Sequence, residues 1–145
     1  MVTSVPAEKG PPKGITPGQW RGRLTDAVLS SFFLQSQDEE LPERILTKKV
    51  FDAFCRLREK KKYEYWLGGL HFEKGKDTNI SKGLEDVLFA LGAFGLVTVE
   101  NHDFRYLRAD RESKREIKDQ IESRLPDEQL KKLRELSDEF AAIVK

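Results

Sequence analysis

A single cysteine, Cys55, stands in the whole chain, so an internal disulfide is impossible and a thiolate-rich zinc site has no set of ligands to draw on. Histidine is nearly as scarce. His71 and His102 lie far apart and in no metal-ligand spacing with each other or with the cysteine, so the expectation is no metal and no cofactor. Long hydrophobic runs are missing: nothing approaches the roughly 18 apolar residues of a membrane span, and the first residues contain no apolar secretory core. A soluble, cytoplasmic protein is therefore expected, in a reducing compartment that suits a lone thiol. An excess of one charge is lacking too. Lys and Arg number 26 against 25 Asp and Glu, a formal net charge of +1, so no global field attracts a polyanion and any nucleic-acid site must be a local patch.

Proline is rare outside the beginning of the chain. Pro6, Pro11, Pro12 and Pro17, with Gly10, Gly14 and Gly18, leave residues 1–18 without a periodic apolar face, and this stretch reads as a flexible arm. The rest, residues 19–145, reads as one domain. A chain of 145 residues that is 38% hydrophobic and 35% charged has material for one moderate core and much solvated helix surface.

From Gln19 onward Trp20, Leu24, Ala27, Val28, Ser31 and Phe32 recur at steps of three or four and predict a first helix. The run Gln37-Asp38-Glu39-Glu40 ends it, and Pro42 suits the first turn of a second helix. That helix carries Leu46, Val50, Phe51, Phe54 and Leu57 inward and closes on Lys60-Lys61-Lys62. The aromatic stretch Tyr63 to Phe72, with Gly68-Gly69 inside it, is expected to be a short strand or extended edge, followed by a loop at Lys74-Gly75-Lys76-Asp77. Asn79 or Ser81 can cap a third helix with Ile80, Leu84, Val87, Leu88 and Leu91 on its apolar face and Gly95 as a left-handed stop. Leu96–Val99 and Phe104–Arg108 form a hairpin about Glu100-Asn101-His102-Asp103. Two charged helices, about Glu112–Arg124 and Pro126–Val144, complete the chain.

A helix followed by a hairpin is how a winged helix sets its recognition helix and wing, so the expected fold is mainly α with a small β-hairpin: a winged-helix-like, single α+β domain. The chemistry of its DNA-facing positions argues against DNA. Base edges and phosphates call for Arg, Lys, Asn or Gln, whereas this helix offers Ser81, Lys82, Glu85 and Asp86, and the wing tip offers Glu100 and Asp103. Arg105 and Arg108 only partly offset these acids. A different basic cluster, Lys48, Lys49, Arg56, Arg58, Lys60, Lys61 and Lys62, lies on the second helix; with Arg105 it carries the alternative reading, a winged-helix transcriptional regulator that binds DNA through that helix. A solvated helix face accounts for the same residues.

No Gly-x-Ser-x-Gly elbow and no Walker-type phosphate loop occurs, and Cys55 lies beside the inward-facing Phe51 and Phe54, where a thiol packs inertly. A non-enzymatic role is expected. Tyr63, Tyr65, Trp66, Phe72 and Phe89 are the candidate contacts for a partner protein, because aromatics combine large area with a polar handle and Phe89 lies off its helix's apolar stripe.

Several segments between Asp26 and Phe140 resemble the Panacea antitoxin domain and the related YwgA-like proteins. They are Thr47-Lys48-Lys49-Val50-Phe51, Tyr65-Trp66-Leu67-Gly68-Gly69-Leu70-His71-Phe72, Ser81 to Leu88 with Gly95-Leu96-Val97, and Leu125-Pro126-Asp127-Glu128-Gln129-Leu130. The resemblance implies a helical, winged-helix-like regulatory domain that binds a protein, such as a toxin or a processing factor, without catalysis of its own.

Overall fold

The computed structural model describes residues 16–36, 40–74, 79–99 and 105–145. Most of the predicted arm, the loop at 75–78 and the wing tip with His102 lie outside the described residues.

Helix α1 spans Pro17–Phe33 and starts two residues before the predicted position. The reason is a capping box: the Thr16 hydroxyl accepts from the Gln19 amide at 3.1 Å, and the Gln19 side chain accepts from the Thr16 amide at 3.0 Å. Pro17 then occupies the first turn, where its missing N–H costs nothing. All six residues of the predicted stripe, Trp20 to Phe32, are buried.

Pro42 does not start the second helix. The chain bends at Glu43 and Arg44, and Ile45–Leu46 then form a short strand, β1, paired antiparallel with a later strand. Helix α2, Thr47–Arg58, follows directly and buries Thr47, Val50, Phe51, Ala53, Phe54 and Leu57.

The first part of the stretch expected to be a strand is helical. Lys61–Tyr63 form a 3-10 turn that leads into α3, Glu64–Leu67. Tyr63, Trp66, Leu67 and Leu70 are all buried, and their spacing is that of one helical face, with the Gly68 amide donating to the Glu64 carbonyl at 2.9 Å. The two glycines serve close packing. A Cβ on Gly68 would lie 2.6 Å from the Glu64 carbonyl oxygen, and one on Gly69 would lie 2.2 Å from Trp20 Nε1. Glu73–Lys74 (β2) and Asn79–Ile80 (β3) then pair in a two-residue ladder.

Ser81 caps α4, Lys82–Ala93, its hydroxyl accepting from the Leu84 amide at 3.3 Å. Leu84, Val87, Leu88 and Leu91 face inward as predicted, but Ile80 belongs to β3 and is exposed. Gly95 ends the helical segment with φ 74°, a left-handed conformation that glycine adopts without strain. Val97–Val99 (β4) and Tyr106–Ala109 (β5) pair antiparallel, with Val99 opposite Leu107. The three-stranded sheet has the order β1-β5-β4. Helix, strand, two helices and a hairpin, with the first strand closing on the second hairpin strand, is the winged-helix arrangement. Here the segment from Glu59 to Ser81, with α3 and the β2-β3 ladder, enlarges the connection between the last two of those helices.

A 3-10 turn at Arg111–Ser113 precedes α5, Lys114–Arg124, and α6 covers Asp127–Val144. The core centres on α1 and α6, where Phe140 meets Phe32 edge-on and Phe54 at a tilt, both at 5.1 Å between ring centroids. Arg124 fixes α5 to α1 through Asp26 at 2.6 Å.

Candidate protein-interaction surface

Because α4 turns four aliphatic side chains inward, the opposite arc is set by what lies between them: Lys82, Glu85, Asp86, Phe89, Ala90 and Ala93, followed by Phe94 in the exit turn. Phe89 is 49% exposed and Phe94 79%, whereas Phe32, Phe33, Phe51, Phe54 and Phe140 are buried. Ala90 and Ala93 are exposed between them. The second half of this face is therefore apolar and the first half carries two carboxylates. Lys82 is its one cation.

The aromatic candidates separate. Tyr63 has no exposed surface and Trp66 has 3%, so both belong to the core and neither offers its ring to a partner. Tyr65 is exposed, with the Arg23 guanidinium 3.8 Å above its ring and Trp66 edge-on at 5.2 Å. Phe72 is half-buried and packs against the core. The sequence reading found Phe89 but missed Phe94. Helical period gave no signal for it, since i+3 from Leu91 and i+7 from Val87 would turn Phe94 inward; it is exposed because the helix ends at Ala93 and Phe94 lies in the exit turn.

Tyr63 instead anchors a polar cluster. Its hydroxyl donates to Glu139 on α6, which also receives Lys60 and, at 3.2 Å, Lys62. Burial, followed by the hydrogen bond to Glu139, pushes the Tyr63 phenol well above its ordinary value. For Glu139 burial acts to raise the carboxyl, but the hydrogen bonds from Lys60, Tyr63 and Lys62 together outweigh it and hold the group below the usual carboxylate range.

The same contacts divide the basic cluster. Lys60 and Lys62 are ion-paired to α6, Lys62 also reaching Glu135 at 3.5 Å, and Arg58 pairs with Glu59 at 3.4 Å while donating to the Leu70 carbonyl. Lys48, Lys49, Arg56 and Lys61 are exposed, but Lys48 and Lys49 lie at the start of α2 and Lys61 beyond its end. Asp52 and Glu59 share the outward side of the helix with them. Arg105 is exposed at the start of β5, and Arg108 pairs with Glu43 at 3.3 Å.

Besides this helical face, the described residues include two concavities. One, of about 670 Å3, runs between α3 and α6 and is lined by Tyr65 and Trp66 with Lys62, Lys132, Glu128 and Glu135. The other, of about 250 Å3, lies between the end of α1 and the β5-α5 connection, lined by Phe32, Phe33, Leu41, Pro42, Asp110 and Arg111. Cys55 is half-buried, and burial with the nearby Glu59 and Asp52 raises its thiol, which disfavours the nucleophilic thiolate. His71 is half-buried in the chain between α3 and β2. Among the described residues no group of three or more His, Cys, Asp or Glu is placed to hold a metal ion, and no helix is long and apolar enough to cross a membrane.

No family model, no curated protein and no solved structure matches this chain.

Proposed function

We propose that this chain is a non-catalytic, cytoplasmic interaction module that uses a winged-helix-like scaffold to bind a partner protein through the outward face of α4. One observation carries the proposal: in the position of a recognition helix, that face presents Glu85, Asp86, Phe89 and Phe94, two carboxylates and two exposed phenylalanines. Phosphate repels the first pair, and the second pair gains more from another protein's apolar surface than from water or a DNA groove. The regulatory, antitoxin-like character implied by the resemblance to the Panacea domain supports the same reading, with a toxin or processing factor as the kind of partner.

Affinity capture from the native host tests it. The wild-type chain is expected to retain a specific protein that Phe89→Ser/Phe94→Ser loses, with the fold intact by circular dichroism. Equal recovery by both chains, or no specific protein with either, would overturn the proposal.

The DNA reading retains one favourable observation, the exposure of Lys48, Lys49 and Arg56 on α2. If that face binds duplex DNA, log affinity falls linearly with log salt and Lys48→Glu/Lys49→Glu abolishes binding. Our proposal predicts no duplex shift even at low salt.

A further inference from the structure

The occupant of the α4 face can be specified by shape and charge, on the basis of the function proposed above. Its exposed surface carries Phe89, Ala93 and Ala90 on the helix and Phe94 in the exit turn, so two small side chains accompany two large ones. A convex ridge of this kind, with a shallow floor of alanine methyls, admits another helix at the 8 to 10 Å spacing typical of helix packing. Charge then selects among helices. Glu85 and Asp86, one turn before Phe89 and Ala90, make no ion pair among the described residues, and Glu85 is already half-buried. An acidic helix would bring its carboxylates against these two, whereas one with Lys or Arg beside its apolar stripe would neutralise them as it covered the phenylalanines.

We infer that the outward face of α4 is a docking ridge for a basic amphipathic helix of a partner protein, with Phe89 and Phe94 as apolar anchors and Glu85 and Asp86 as its electrostatic selectors. A helix in this position packs its Leu or Ile side chains over Ala90 and Ala93, and its cations reach back toward the first turns of α4.

The test uses the full chain and two fluorescently labelled 18-residue peptides, a Leu/Lys amphipathic helix and its Leu/Glu counterpart, followed by anisotropy. Saturable binding of the Leu/Lys peptide is expected, weakened at least about tenfold by Phe89→Ser/Phe94→Ser and about five- to tenfold by Glu85→Lys/Asp86→Lys. The Leu/Glu peptide should bind only the charge-reversed variant. Since Asp86, Phe89 and Phe94 are exposed and Glu85 is half-buried at the helix surface, circular dichroism is expected to show both variants folded. No saturable binding, binding indifferent to both double variants, or equal affinity for the two peptides would each overturn the inference. Sedimentation showing a dimer that Phe89→Ser/Phe94→Ser dissociates would overturn it as well, the occupant then being a second copy. If host capture succeeds while the Leu/Lys peptide fails, the interaction role stands and only this description of the partner falls.

Discussion

At the scale of single residues, Gly69 leaves no room for a side chain, because the Trp20 indole lies so close that any added carbon must displace it. Gly69→Ala is expected to destabilise the fold by about 1 to 3 kcal/mol through overpacking, read as a lower urea midpoint with an unchanged slope. Gly22, with open space around its Cβ position and a place inside α1, should instead accept alanine with a small gain in stability, since it pays the entropic cost of glycine without any close contact. The cluster at Tyr63 gives a second prediction, with opposite signs at the two ends of the pH scale. Glu139 is held below its ordinary value, so its contribution is present above the usual glutamate range and is lost as pH falls through the lowered value. Tyr63 is held above its ordinary value of 10.0, so its contribution is complete below that pH and declines as pH rises beyond it. Glu139→Gln should flatten the acid limb of stability against pH and Tyr63→Phe the alkaline limb, the second also costing about 1 to 2 kcal/mol for the lost charged hydrogen bond. Denaturant midpoints across pH 3 to 11 measure both. None of this was legible in the chain, because Tyr63 and Glu139 are brought together only when the 3-10 turn packs on α6.

At the scale of elements, the residues with the strongest periodicity were the most readable. The stripes of α1, α2, α4 and α6 follow from apolar side chains at helical spacing, and burial agrees with that spacing almost residue by residue. Over Tyr63 to Phe72 aromatic content and two glycines suggest an extended edge, but Tyr63, Trp66, Leu67 and Leu70 stand at helical steps, and in the structure period outweighs composition. The strand at Ile45–Leu46 left no readable sign, since two residues carry no alternation and their extended shape is imposed by pairing with Tyr106 and Leu107. Ser81 was one of two cap candidates, and the structure selects it. Ser81→Ala is expected to cost about 1 kcal/mol, because the Leu84 amide loses its acceptor in a buried position. A thermal melt would register this as a shift of several degrees, while the same change at the exposed Ser123 should have little effect.

At the scale of the whole molecule, the winged-helix order was legible from the succession of helix and hairpin, and the acids of the recognition position were legible from the sequence itself. The allocation of the cations was not. Lys60 and Lys62 look like part of a basic patch until α6 brings Glu135 and Glu139 to them, after which the positive surface of α2 is interrupted by ion pairs. Exposure was less readable for the aromatics, since only the helical step that joins Trp66 to Tyr63 and Leu70 separates it from the exposed Tyr65 beside it. The pattern that emerges among the described residues is a scaffold whose positive charge is dispersed or paired and whose exposed phenylalanines are gathered on one helix and its exit turn.

The central claim, that α4 and not α2 meets the partner, is tested most directly by photo-crosslinking in the native host with benzoylphenylalanine placed at position 94 in one chain and at position 48 in another. The claim predicts a discrete protein adduct from position 94 and none from position 48. Nucleic acid crosslinked from position 48, with no protein captured from position 94, would contradict it.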